Sequence, residues 1–182
     1  GIGAGLSVAG ILALTIVLAS LHRPLPEATP TPEADAVAEQ VMDAVDHEAW
    51  DRTGAIAWNF GGRRQHLWDR TRNLDRYTTG DTVVWIDIAT RKGAAEPAGV
   101  ALSGSELDAA LDDAWAAWAN DSFWLNPVVK IFDGGTTRAL VPLDAGGQGL
   151  LVSYASGGVT PGDSYLWRLG ADGRPDRWEM WV

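Results

Sequence analysis

Residues 55–90, AIAWNFGGRRQHLWDRTRNLDRYTTGDTVVWIDIAT, place apolar side chains at every second position in short runs broken by turn residues. An extended chain points successive side chains to opposite faces, whereas a helix repeats its face every three or four residues. Ile56, Trp58 and Phe60 therefore share one face of a strand. Val84, Ile86 and Ile88 share a face of another, with Val83 and Trp85 opposite. Thr79-Gly80-Asp81 reads as a hairpin turn, because glycine reaches the positive φ that tight reversals need. The stretch predicts an antiparallel meander with strands in AIAWNF, RQHLWDR, RNLDRYT and DTVVWIDIAT.

The same period returns near the C-terminus in TRALVPL, GLLVSYAS, SYLWRL and DRWEMWV, with Gly170-Ala171-Asp172-Gly173 turning the last pair. Tyr165, Trp167 and Leu169 alternate, as do Trp178, Met180 and Val182. DRWEMWV reaches Val182 in mid-strand, so the domain is expected to continue beyond it.

Two segments switch to helical spacing. In PEADAVAEQVMDAVDHEAW, Thr31 can cap and Pro32 can take the first helical position. Ala34, Val37, Val41, Met42 and Val45 form an apolar stripe, while Asp35, Glu39, Asp43 and Asp46 face away. In SGSELDAALDDAWAAWAN, Ser105 is the expected cap, answered by Asp108. Leu107, Ala110, Leu111, Ala114, Trp115 and Trp118 lie on one stripe, which assigns both tryptophans to the core. Asn120 is the expected helix end, leaving Phe123, Trp124 and Leu125 on a connection that Pro127 leads into the next strand. Three such residues in succession cannot all point inward, so Trp124 is expected to edge a cavity or the surface.

Residues 1–21, GIGAGLSVAGILALTIVLASL, carry no charge. As a helix they span about 32 Å, enough for the hydrocarbon core of a bilayer. A secretory signal peptide is the alternative, with a shorter apolar region and a small-residue cleavage site as its marks. Gly1, Gly5, Ala9 and Ala13 fall four apart, a row that lets a second helix pack closely. Residues 22–32 hold four prolines and read as a stiff extended spacer between the anchor and an extracytoplasmic domain at 33–182. Arg23 beside an acidic remainder favours export of that domain under the positive-inside rule. The expected location is the bacterial inner membrane, single-pass, with the main domain in the periplasm.

A net charge of −10 makes nucleic acid a poor partner. The absence of cysteine excludes disulfides, thiol nucleophiles and cysteine metal sites. Ten tryptophans stand against three tyrosines and three phenylalanines, so aromatic surface is the distinctive resource of this chain. Only His22, His47 and His66 are available for acid–base work, and no serine sits in a nucleophile elbow. Asp46, His47 and Glu48 point about 100° apart on a helix and cannot converge on one metal ion. Asp112 and Asp113 diverge for the same reason. No catalytic residue, metal or cofactor is therefore expected. Arg63, Arg64, Arg70, Arg72 and Arg76 cluster against Asp69 and Asp75. They read either as cross-strand pairs or as a docking patch for an acidic partner or lipid headgroups.

The order helix, antiparallel strands, helical insertion and more antiparallel strands resembles the half-open β-barrel of the bacterial outer-membrane lipoprotein carrier and receptor superfamily. It is also similar to exported bacterial domains with W-x-F, H-x-W-D and F-W-L-x-P signatures. Here these are Trp58 and Phe60; His66, Trp68 and Asp69; and Phe123, Trp124, Leu125 and Pro127, within residues 33–182. The expected fold is α+β: the transmembrane helix read from residues 1–21, a departure from the soluble carriers, and then, as the resemblance implies, one curved, half-barrel-like antiparallel sheet packed on two amphipathic helices. The resemblance also implies an apolar cavity. Two functions are expected, the first from the small-residue row of the anchor, the stiff spacer and the lack of catalytic groups, the second from the resemblance and the tryptophan content. One is a non-enzymatic, membrane-anchored accessory subunit that stabilises a larger membrane complex, photosynthetic or respiratory, with integral membrane proteins and lipids as partners. The other is a lipid- or apolar-ligand-binding module. Phe123, Trp124, Leu125, Arg63, Arg64, Arg70 and Arg72 are the candidate partner or ligand contacts.

Overall fold

The computed structural model describes residues 23–182; the apolar run with Gly1, Gly5, Ala9 and Ala13 lies outside the described residues. The described elements are α1 (Pro32–Ala44), α2 (His47–Arg52), β1 (Ala55–Phe60), β2 (Arg64–Asp69), β3 (Leu74–Thr79), β4 (Thr82–Asp87), β5 (Gly93–Pro97), α3 (Gly104–Leu125), a 3-10 turn (Val128–Lys130), β6 (Thr136–Pro142), β7 (Gln148–Tyr154), β8 (Ser164–Leu169) and β9 (Pro175–Trp181). Among the described residues no helix is long and apolar enough to cross a membrane.

The fold is α+β and every strand pairing is antiparallel, but the strands form two sheets and not the single curved one expected. Sheet A runs β1-β2-β3-β4-β5 and sheet B runs β6-β7-β8-β9, and neither curls. Each sheet is a local meander closed by tight turns, and α3 intervenes where a β5–β6 pairing would have joined them. Proline ends both of the strands that flank α3 in the chain, Pro97 on β5 and Pro142 on β6. Proline cannot donate to a ladder, which discourages lateral joining.

Sheet A directs two rows of side chains toward α3: Trp58–His66–Tyr77–Val84–Ala95, and Ile56–Trp68–Asp75–Ile86–Gly93. Leu111, Ala114 and Ala117 of α3 close over Val84, Ile86 and Ala95, the small alanines letting helix and sheet approach. The opposite face of sheet A stays open, with Leu67 and Trp85 each 43% exposed.

Sheet B buries Leu150, Val152, Tyr165 and Trp167 beneath Ala34, Ala38 and Val41 of α1. This helix precedes all of sheet A in the chain yet packs on the sheet made last. Arg138 of β6 binds Asp35 at 2.5 Å, and Arg174 donates to the Ala44 carbonyl at 2.7 Å, fastening both helix ends. Thr31 caps the helix through Ala34 N, with Pro32 opening the first turn. Such a cap contributes about 1 kcal/mol. The helix ends at Ala44 with Val45 as its C-cap, where the stripe ends and short of Trp50, because Asp46 adopts φ 54° and caps a separate short helix through Ala49 N.

The second apolar face of sheet B is covered as well. Val141, Leu151 and Leu166 are buried there beside Leu143 and Trp181. Residues 23–26 lie across this face. The Trp181 indole donates to the Arg23 carbonyl at 2.8 Å, and Arg23 reaches Glu179 at 3.1 Å. Pro24 and Pro26 share a shallow depression of about 120 Å³ with Val141 and Pro142 of β6 and with Leu143 just after it. The nine residues from Arg23 to Thr31 span about 28 Å when extended. That is enough to cross three strand gaps of about 4.8 Å each and round the sheet to reach α1.

Glu179 is the clasp of this strap. Hydrogen bonds from Arg168, and then from Arg23, hold its carboxyl below the ordinary value of 4.5. A depressed carboxyl contributes stability that is present above the ordinary value and lost as pH falls through the folded one. Acid is therefore expected to release residues 23–26 before the sheets unfold. Glu179→Gln is expected to do the same at neutral pH, costing roughly 0.5–1 kcal/mol as a partly exposed ion pair. The Trp181 indole proton resonance reports it; an unmoved resonance in the variant would show that packing alone holds the strap.

Candidate functional site

Helix α3 reaches from one sheet to the other, and its C-terminal half carries the chemistry. The helix does not stop at Asn120: it continues to Leu125, so Phe123, Trp124 and Leu125 are helical and not on a connection. Nor does Ser105 cap it. Ser103 holds the cap position, without a side-chain bond. The extra turn follows from Asp121, whose fully buried carboxylate is held by three donors outside its own backbone. Arg64 binds Oδ1 at 2.6 Å, Asn120 Nδ2 binds the same oxygen at 2.8 Å, and His66 Nε2 faces Oδ2 at 3.1 Å.

His66 is clamped on both sides, since its Nδ1 lies 2.6 Å from Asp75 Oδ2. The ring and both carboxylates have no exposed surface. Trp58 stacks on the imidazole at 4.4 Å and 12°, and Tyr77 covers it at 5.2 Å. Each ring nitrogen thus faces a carboxylate oxygen, and the Arg64 guanidinium adds a cation beside Asp121, the kind of pairing that buried ionisable groups require. Tyr77, beside this cluster, has its phenol pushed upward by burial. The cluster ties β2 and β3 to α3; its imidazole and both carboxylates are closed to solvent, while Arg64 reaches the surface.

The open site lies on the other side of the same helix turns. Trp115, Trp118, Phe123 and Trp124 of α3 join Tyr154 and Tyr165 of sheet B around a cleft of about 440 Å³. That volume suits a small molecule. Phe123 meets Trp124 at 88°, Tyr154 at 85° and Tyr165 at 5.1 Å, so the rings stand as walls and not as a stack. Trp118 packs edge-on against Trp68 of sheet A, and its Nε1 is buried without a hydrogen-bond partner. Trp124 stands 39% exposed at the mouth.

Polar groups occupy the remaining rim. Lys130 pairs with Asp133 at 3.6 Å and lies 5.7 Å above the Trp118 ring. Asp163 accepts from Thr160 at 2.7 Å and from the Tyr165 hydroxyl at 3.0 Å. Burial pushes the Tyr154 and Tyr165 phenols well above their ordinary value, reinforced by Asp133 and Asp163 respectively. Both hydroxyls remain neutral donors. Gly134 and Ser156 also line the cleft, from two loops that meet closely: Gly135 at φ 85° leaves no room for a Cβ against Ser156 Oγ.

The arginines do not form the patch their sequence spacing suggests. Arg64 is drawn into the Asp121 cluster. Arg70 binds the Trp50 and Thr53 carbonyls and stacks over Trp50 at 4.7 Å. Arg72 pairs with Asp69 at 2.7 Å within the turn, and its backbone and side chain hold that carboxyl below its ordinary value. Arg63 and Arg76 are exposed. Asp75 pairs with His66 in place of an arginine. Leu125 is half-buried at the helix end, outside the cleft lining.

Sequence reasoning passed over the His66–Asp75–Asp121 cluster. The available signal was parity: His66 alternates with Trp68, and Asp75 with Tyr77, which places ionisable groups on the inward face of sheet A. Comparison of the chain with protein-family models, curated proteins and solved structures finds no match.

Proposed function

We propose that this chain is a non-enzymatic, membrane-anchored binding module whose aromatic cleft takes a small compound with a flat apolar face and a polar rim. The supporting observation is the convergence of four α3 aromatics and two sheet B tyrosines on one cleft, edged by Lys130, Asp133 and Asp163. Aromatic walls give non-directional affinity, and a few fixed polar groups give orientation. A carrier of the lipoprotein type needs a curved sheet around an acyl-chain cavity. The cleft here lies between a helix and a sheet, which favours a more compact ligand.

Tryptophan substitution separates binding from packing. Trp124→Ala is expected to weaken ligand binding about tenfold or more while costing under about 1 kcal/mol of stability, as expected for a half-exposed side chain. Trp118→Ala, embedded between the sheets, is expected to cost about 3–5 kcal/mol. Native mass spectrometry of the detergent-purified chain, with and without Trp124, reads both the retained ligand and its loss. Equal destabilisation by the two substitutions, with no ligand retained by either the parent or Trp124→Ala, would reduce the cleft to core packing.

A second reading is an accessory subunit of a larger membrane complex, held in the bacterial inner membrane with its domain in the periplasm. The observation that favours it is the uncovered face of sheet A, where Leu67, Leu74 and Trp85 are exposed. Recovery in fixed stoichiometry with integral membrane proteins after mild-detergent extraction supports it; emergence as a lone, ligand-bearing monomer rejects it.

A further inference from the structure

We infer that the outer face of sheet B, the face crossed by residues 23–26, is a lipid-facing surface that lays the domain flat on anionic phospholipid headgroups. The inference rests on the membrane-anchor reading of residues 1–21 and goes beyond it. A proline-rich tether alone would leave the domain free to stand off the bilayer.

Three observations converge. The first is reach. Arg23 is fixed to sheet B through Trp181 and Glu179, and in the sequence it follows the last residue of the apolar run, Leu21, by two positions. The prolines that could have served as a standoff are laid across the sheet, with Pro24 and Pro26 beside Val141, Pro142 and Leu143.

The second is charge. Arg168 and Arg177 stand directly opposite each other in the β8–β9 register. Facing like charges are destabilising on a sheet unless an anion lies between them or above them. Strand alternation puts both on the outer face with Glu179, whose carboxylate is already taken by Arg168 and Arg23. Arg177 is exposed and has no carboxylate within ion-pair distance among the described residues. Asp144 at the far rim is the other acid of the depression. A chain of net charge −10 thus gathers Arg23, Arg168 and Arg177 on the one face that the strap crosses. Basic residues beside a membrane segment bind anionic headgroups, and the phosphates would separate the facing arginines.

The third is the apolar fringe. Leu25 is 44% exposed on the strap, and Trp181 presents an indole whose N–H is satisfied by the Arg23 carbonyl. An indole or leucine edge between arginines suits the headgroup boundary, where apolar bodies and charged heads coexist.

The absence of cysteine makes the test direct, since a single introduced thiol gives one labelled site. The full chain is placed in nanodiscs of phosphatidylcholine with or without phosphatidylglycerol, the lipids carrying a headgroup nitroxide quencher. A fluorophore is attached at Arg177→Cys, or at Glu39→Cys on the exposed side of α1. The latter is one helix layer, about 10 Å, farther from the proposed contact. Quenching several-fold stronger at 177 than at 39, and stronger with phosphatidylglycerol, is the expected result. Because the label replaces Arg177, a fluorophore at Asp144→Cys is compared with and without Arg177→Glu, which should lower its quenching in the anionic discs. Equal weak quenching at 177 and 39 in a chain that does enter nanodiscs overturns the flat-lying domain and leaves the anchor intact. A chain that fails to enter them overturns both, while the ligand cleft is untouched by either outcome.

Discussion

His66→Ala is expected to lower the free energy of unfolding by about 3–5 kcal/mol, the range seen when one partner of a buried ion cluster is removed. The loss has two parts. Asp75 and Asp121 would face each other across a cavity, each buried and without the ring nitrogen that it now faces. Trp58 would lose the ring on which it stacks at 4.4 Å. Arg64 cannot compensate for both acids, because it reaches only Asp121. Asp75 Oδ1 already lacks a partner, which leaves that carboxylate with no reserve of hydrogen bonds. Urea denaturation of the two proteins measures the difference. A loss below about 1 kcal/mol would mean that water enters and solvates the pair, and that the cluster is not what holds α3 on sheet A.

Gly93→Ala is expected to be nearly as damaging, at about 3 kcal/mol, for a reason unrelated to backbone freedom. Its φ is not among the positive values of this chain. A Cβ at this position would lie 1.8 Å from the Trp85 carbonyl oxygen and 2.9 Å from the carbonyl carbon. Both are backbone atoms of the neighbouring strand, so no rotamer change relieves the clash and β5 must move as a unit. That movement opens the Val84–Ala95 row beneath α3, where Val84 and Ala95 are each 1% exposed. Amide exchange would show β5 released first and sheet A following it. Unchanged protection at Ala95 would show that the strand tolerates the shift. The expected cost sits at the upper end of overpacking effects because the obstacle is main chain and not side chain.

The cleft and the cluster differ in how much of each the sequence announces. Trp115 and Trp118 follow the spacing of Leu111 and Ala114, so their place on α3 is plain, and the prominence of Trp124 follows from the crowding of three apolar residues in a row. That Tyr154 and Tyr165 complete the cleft is not readable, because they come from strands that local pattern cannot place against α3. Asp121 misleads a linear reading. An acid following Asn120 looks like a helix end, yet Arg64 and His66 stabilise its carboxylate and the helix runs on for another turn. The arginines mislead in the opposite direction. Spacing suggests a shared surface, but alternation and turns send Arg64 inward and Arg70 to backbone carbonyls, and leave Arg72 with Asp69. Strand β5, GAAEP, has no alternation to detect; it is a strand because β4 offers a free edge and Gly93 allows close approach.

By itself the sequence determined the local elements: period-two runs for eight of the nine described strands, the Gly80 and Gly170–Gly173 reversals, the Thr31 cap and the two apolar helix stripes. These depend on side-chain direction and backbone preference within a few residues, which is information the chain carries locally. Only the tertiary structure decided that the strands divide into two sheets, that α1 passes sheet A to pack on sheet B, that residues 23–26 strap the outer face, and that His66 lies between two acids. The physical reason is common to all four. Each depends on which apolar face finds which partner and on where buried charges find neutralisation, and those energies arise between residues remote in the chain, 55 positions for His66 and Asp121, 103 for Asp35 and Arg138 and 156 for Arg23 and Glu179.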